Sequence, residues 1–230
     1  MTLIEICVED APSVRTAALA GAQRVELCRE LSCGGLTPTI ATFEEALKFA
    51  PEGGLQVLIR PRAGSFVFSR DEIAKCCATI RHFSRLSEGK RKQVGFVVGA
   101  LLPDGRIDEG GALKLRKAAG AHPLTFHRAF DMVPDQFRAL KKLIRLGYER
   151  VLTTGGHISV AQRGRIKELV EYSKGRITIL GSGGIRANNV ASFVIETGVS
   201  EVHMRAPGLN DKGTDRTQVE AIMRQVATAC

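Results

Sequence analysis

The sequence predicts an α/β protein built as one (β/α)8 TIM-type barrel spanning residues 1–230. Three observations carry that expectation. Eight short strand-like runs alternate with eight helical stretches, and no linker or change of composition divides them. A joint recurs as Gly21-x-x-Arg24-Val25, Gly147-x-x-Arg150-Val151 and Gly198-x-x-Glu201-Val202, where a glycine closes a helix and a strand starts about three residues later. Five strands also place charged, titratable or thiol residues on one alternating face.

The first strand is expected over 3–8, where Ile4-Glu5-Ile6-Cys7 alternates, and Gly21 ends the helix near 12–20 that follows. The second, 24–28, carries Val25-Glu26-Leu27-Cys28 and leads to a helix near 39–50. Val57-Leu58-Ile59-Arg60 marks the third, 55–60, with a helix near 70–87 after it. A fourth strand over 94–100 precedes a helix near 108–119. The fifth, 123–128, holds Leu124-Thr125-Phe126-His127. Its helix near 134–146 has Pro134 in the first turn, Phe137, Leu140 and Ile144 on one face, and Gly147 at its end. Strands over 149–153 and 176–182 precede helices near 159–173 and 187–196. Glu201-Val202-His203-Met204 forms the eighth strand, 200–204, before a last helix near 214–228. An open doubly wound sheet is the alternative.

A barrel explains the alternation. Ile4, Ile6, Val25, Leu27, Phe126 and Val202 face the helices, whereas Glu5, Cys7, Glu26, Cys28, Arg60, His127, Glu201 and His203 face the interior. Buried charge is costly unless paired, so this concentration points to a site. Barrel sites lie at the C-terminal strand ends, where Cys7, Cys28, Arg60, His127 and His203 fall.

Hydrophobic residues make up 44% and charged residues 25%, a globular balance. No apolar run approaches the ~20 residues of a membrane span. The N-terminus enters a strand at once with no signal-like stretch, so a cytoplasmic protein is expected. The net charge of +9 reads as solvated helix faces. With 5% aromatics and no Trp, basic-aromatic interleaving is lacking, which argues against nucleic acid. A homo-oligomer is neither required nor excluded. The six cysteines form no C-x-x-C; Cys76 and Cys77 read as helix packing, and Cys230 is terminal.

Cys7 and Cys28 occupy equivalent positions on neighbouring strands, about 4.8 Å apart if in register. Together they suit a soft ion such as Cu(I), with His127 or His203 as an added ligand and Cys33 on a nearby loop. Buried hydrophobic thiols are the plain alternative. Glu5 and Glu26 form a similar pair, suited to acid–base work or to a salt-bridge layer with Arg60 or Arg24. Arg60 and Arg62 suit a carboxylate or phosphate. His127 is a candidate base, ligand or donor, and Asp131 is placed to orient it or to cap the next helix. Gly181-Ser182-Gly183-Gly184 follows strand seven, where barrels often bind phosphate, and His203 joins this anion-binding set; a tight turn is the other reading.

Val25-Glu26-Leu27-Cys28, Gly34-Gly35-Leu36-Thr37-Pro38, Ile59-Arg60-Pro61-Arg62, Thr125-Phe126-His127-Arg128-Ala129-Phe130-Asp131, Val151-Leu152-Thr153-Thr154-Gly155 and Glu201-Val202-His203 resemble the CutC family, in the family's order. The resemblance implies a (β/α)8-type barrel, a cytoplasmic protein and a role in copper homeostasis, with the cysteines at positions 7 and 28 as Cu(I) ligands. The chain departs at Gly64-Ser65-Phe66-Val67-Phe68, which lacks an acidic residue and a tyrosine, at Ser182, and at His203-Met204-Arg205-Ala206. Two functions are therefore expected in competition. One is copper handling through Cys7 and Cys28. The other is an enzyme acting on an anionic small molecule, with Glu5, Glu26 and His127 in proton transfer and Arg60, Arg62 and the 181–184 loop holding the anion.

Overall fold

The computed structural model describes residues 2–90, 93–157 and 159–228, so Cys230 lies outside the described residues. Eight parallel strands close into a barrel: β1 (Leu3–Val8), β2 (Arg24–Leu27), β3 (Leu55–Leu58), β4 (Val94–Val98), β5 (Leu124–Phe126), β6 (Arg150–Thr153), β7 (Thr178–Gly181) and β8 (Glu201–Met204). Each pairs with the next and β8 closes on β1, so the open-sheet alternative is set aside. The outer ring is α1 (Ala11–Leu19), α2 (Ile40–Leu47), α3 (Arg70–Ser87), α4 (Glu109–Ala119), α5 (Gln136–Arg145), α6 (Arg163–Ser173), α7 (Val190–Thr197) and α8 (Arg216–Ala227).

Local chemistry sets the helix starts. Asp10, Thr39, Asp108, Asp135 and Asp215 each accept a backbone N–H of the first turn, and Ser69 with Glu72 forms a full capping box on α3. Asp135 caps α5, so Pro134 precedes the helix instead of sitting in its first turn. α6 begins at Arg163, later than the expected 159, because the preceding segment is held elsewhere. The Ala161 N–H donates to the Gly183 carbonyl and that of Gln162 to the Thr154 carbonyl.

The apolar strand faces behave as expected. Ile4, Ile6, Val25, Leu27, Phe126 and Val202 are fully buried against the helices. Phe43 of α2 and Phe83 of α3 meet with ring centroids 4.6 Å apart in that layer. Cys76 and Cys77 are buried on α3 within the same cluster.

Inside the barrel the register differs from the simple alignment of strands one and two. Glu5 lies opposite Arg24, and Cys7 opposite Glu26. Cys28 therefore stands two residues beyond Cys7's ladder partner. A closed barrel needs such a stagger between strands. It brings Arg24 into the interior, two residues before Glu26 on the same alternating face. The inner face of β4 is kept small to match. A Cβ on Gly95 would lie 2.2 Å from the Gln56 Oε1, and one on Gly99 2.4 Å from the His127 Cε1.

Candidate functional site

An ion network fills the barrel floor. The fully buried Arg24 donates from Nε to the Glu5 Oε2 at 2.5 Å and from Nη2 to Glu201. Arg150 donates to the same Glu201 carboxylate at 2.8 Å, and the His203 Nδ1 lies 2.8 Å from the Glu5 Oε1. Burial alone would push the Glu5 carboxyl up, but the Arg24 charge and the His203 contact outweigh it and hold it at about 2. Glu5 is thus ionised and engaged on both oxygens. The salt-bridge partner is Arg24, and Arg60 takes no part.

Above the floor, Cys7, Glu26 and His203 bring ligand atoms within 4.8 Å of one another, a grouping with the spacing of a metal site. The Cys7 Sγ–H donates to the Glu26 Oε1 at 3.7 Å, while Glu26 Oε2 is buried without a partner. Burial raises Glu26 to about 7, the His203 charge pulling down and the Glu5 charge pushing up. Burial opposes charge on His203, but Glu26 and the hydrogen bonds to Cys7 and Glu5 raise it well above its ordinary value. The hydrogen bond to Cys28, burial and the Glu26 charge push the Cys7 thiol well up. Cys28 Sγ sits 3.9 Å from Cys7 Sγ and 3.6 Å from the Val8 carbonyl it donates to. Cys33 is partly exposed in the turn Leu31–Cys33, its thiol donating to the Glu30 carbonyl.

At the mouth, a cavity of about 320 Å³ is lined by residues that include Cys7, Glu26, Arg60, His127 and His203. Arg60 is buried between the loops after β2 and β3. Its Nη1 donates to the Cys33 and Gly35 carbonyls and its Nη2 to that of Gly64, and the guanidinium lies 4.7 Å from the Phe66 ring centroid. Arg62 lies outside the cavity lining, donating to Glu72 and to the Ala63, Ser65 and Val67 carbonyls. The His127 Nδ1 accepts the Ala129 N–H at 3.1 Å. Burial and the Arg60 charge lower His127 to about 3, so the ring is neutral, with its hydrogen on Nε2. That nitrogen is buried and unpartnered, and His127 itself lines the cavity.

Ser182, Gly183 and Gly184 line the cavity, but Gly181 faces outward, where a Cβ would lie 2.7 Å from the Phe193 ring of α7. A Cβ on Gly183 would lie 2.6 Å from the Ala161 nitrogen, so packing alone requires glycine at both positions. Asp131 neither orients His127 nor caps α5. It accepts from the Thr153 hydroxyl and from the Thr154 and Gly156 N–H groups, clasping the loop after β5 to the loop after β6. Sequence reasoning left Gln56, Arg150 and Phe66 out of the interior and mouth, and named Arg24 only as one of two salt-bridge partners. The period-two pattern that marks Glu26 and Glu201 could have found Arg24; Phe66 lies on a loop and carries no such signal.

The CutC family model matches residues 2–208. A CutC family protein of Pasteurella multocida is 40% identical over 206 residues, covering 89% of this chain and 82% of that protein. The human protein named copper homeostasis protein cutC homolog is 40% identical over 212 residues, covering 92% and 76%. The crystal structure of CutC from Streptococcus agalactiae superposes with a TM-score of 0.80 at 33% identity, covering 88% of this chain and 98% of that one. With the family model spanning most of its length and relatives at this identity, the chain belongs to the CutC family.

Proposed function

We propose that this is a cytoplasmic copper-handling protein that binds Cu(I) through Cys7 and Cys28, with the His203 imidazole as third ligand. The observation that carries the reading is the bond from His203 Nδ1 to Glu5. It commits Nδ1 and leaves Nε2 for the ion, the carboxylate–histidine–metal arrangement that fixes ring orientation in metal sites. Two thiolates and an imidazole suit a soft ion. At a metal–sulfur bond of about 2.3 Å, sulfurs 3.9 Å apart subtend about 116° at the ion. That angle leaves room for a third ligand. A disulfide fits poorly, since the two-residue stagger sets the Cα atoms about 8 Å apart by strand spacing. The names of the relatives agree with copper homeostasis, and no described helix is long and apolar enough to cross a membrane.

The test is a Cu(I) titration of reduced protein against a competing chelator, with Cys7→Ser/Cys28→Ser alongside. One ion bound per chain, lost in the double variant while its circular dichroism is unchanged, is expected. Tight binding retained by the variant would overturn the reading.

A further inference from the structure

Copper binding at Cys7 leaves the other side chains of the mouth unexplained. Arg60 is 5% exposed, and among the described residues no carboxylate pairs with it. Its hydrogen-bond partners are all carbonyl oxygens, which spend donors without cancelling charge. Nη1 uses both hydrogens and Nη2 one, while Nε is buried with no partner. His127 is 4% exposed and presents a second unpartnered donor, Nε2–H. Phe66 holds the two groups near each other, its ring centroid lying 4.7 Å from both the guanidinium carbon and the imidazole centroid. A buried unsatisfied donor costs about 1–3 kcal/mol, more where charged. Both side chains line one open cavity while their unpartnered nitrogens are closed to solvent, so a turn of either group would present a donor to an acceptor there.

We infer that the cavity binds a small organic anion, with its carboxylate or phosphate oxygens held by the Arg60 and His127 side chains, whose unpartnered Nε and Nε2 hydrogens turn to meet it. Anionic oxygen satisfies both donors and supplies the charge that Arg60 lacks. Arg186 lines the same cavity and adds to its positive field. A volume of about 320 Å³ is at the small end for ligand sites, enough for a body of a few carbons. Leu31, Leu58, Leu152 and Ile185 supply an apolar lining for that body. The inference is independent of copper binding, which uses neither Arg60 nor His127.

Isothermal titration of the full chain tests it, with inorganic phosphate, glycerol phosphate and lactate as probes and glycerol as the uncharged control. Saturable binding of at least one charged probe is expected, with glycerol silent. Binding of the phosphates alone assigns a phosphate head, and of lactate alone a carboxylate head. Arg60→Gln and His127→Phe should each weaken the binding by about tenfold or more, and Arg106→Gln, exposed and away from the cavity, should leave it unchanged. Because Arg60 also holds loop carbonyls, His127→Phe decides the matter if Arg60→Gln unfolds. Absence of saturable binding by every probe at tens of millimolar, or undiminished binding by the His127 variant, would overturn the inference. Cu(I) affinity measured in His127→Phe separates the two sites, since the copper reading predicts no change there.

Discussion

Replacing Arg24 with methionine tests the ion network at its centre. The guanidinium is 1% exposed and bonded to both Glu5 and Glu201, so its removal leaves, among the described residues, Glu5 with His203 and Glu201 with Arg150. Breaking a buried pair by deleting one partner costs about 3–5 kcal/mol. The titration of Glu5 gives a comparable figure. Its carboxyl moves from an ordinary 4.5 down to about 2, and 2.5 units correspond to about 3 kcal/mol. Because the folded-state value is the lower one, this stabilisation is present above about pH 4.5 and is lost as pH falls toward 2. Methionine removes most of it, so the variant should lose stability at neutral pH and show a flatter acid limb. Urea unfolding at pH 7 and pH 3 is the assay. A difference of about 3–5 kcal/mol at pH 7 that shrinks at pH 3 is expected. A difference under about 1 kcal/mol at pH 7, or one that does not change with pH, would refute the reasoning.

Copper affinity should fall with acidity, because Cys7, raised well above its ordinary value, must shed a proton before it binds. At least about tenfold per pH unit is expected between pH 8 and 6 in competition titrations, and a flat profile would argue against the Cys7 ligand. Gly99→Ala should destabilise by about 1–3 kcal/mol, since its Cβ would meet the His127 ring at 2.4 Å; denaturant midpoints check this. Asp131→Ala should cost about 3 kcal/mol, because it strips the Thr154 and Gly156 N–H groups of a charged acceptor. Hydrogen exchange should show those two amides losing protection first.

Much of the barrel was legible because strand alternation and helix-closing glycines are local. Ile4 and Ile6 against Glu5 and Cys7 state the two faces of β1 within four residues, and they are buried against opposite surroundings as read. What pairs across strands is not local. Barrel stagger decides that Glu5 meets Arg24 and Cys7 meets Glu26, and nothing within either strand encodes that shift. Loop chemistry is still less legible. Arg60 and Arg62 were both read as anion ligands, yet one is buried at the cavity by three carbonyls while the other is drawn to Glu72, the residue that completes the α3 capping box. His127 was visible as a polar residue at a strand end, but its part as a donor depends on the Ala129 N–H that takes its Nδ1 lone pair. The glycines after β7 suggested an anion loop, and the packing of Phe193 and Ala161 accounts for two of them without a ligand.

X-ray absorption at the copper edge of the Cu(I)-loaded protein tests the copper site most directly. Two sulfur scatterers and one imidazole nitrogen are predicted, with the nitrogen shell lost in His203→Ala and the sulfur shell lost in Cys7→Ser/Cys28→Ser. A first shell of nitrogen and oxygen alone in the unaltered protein would contradict a site built on Cys7, Cys28 and His203.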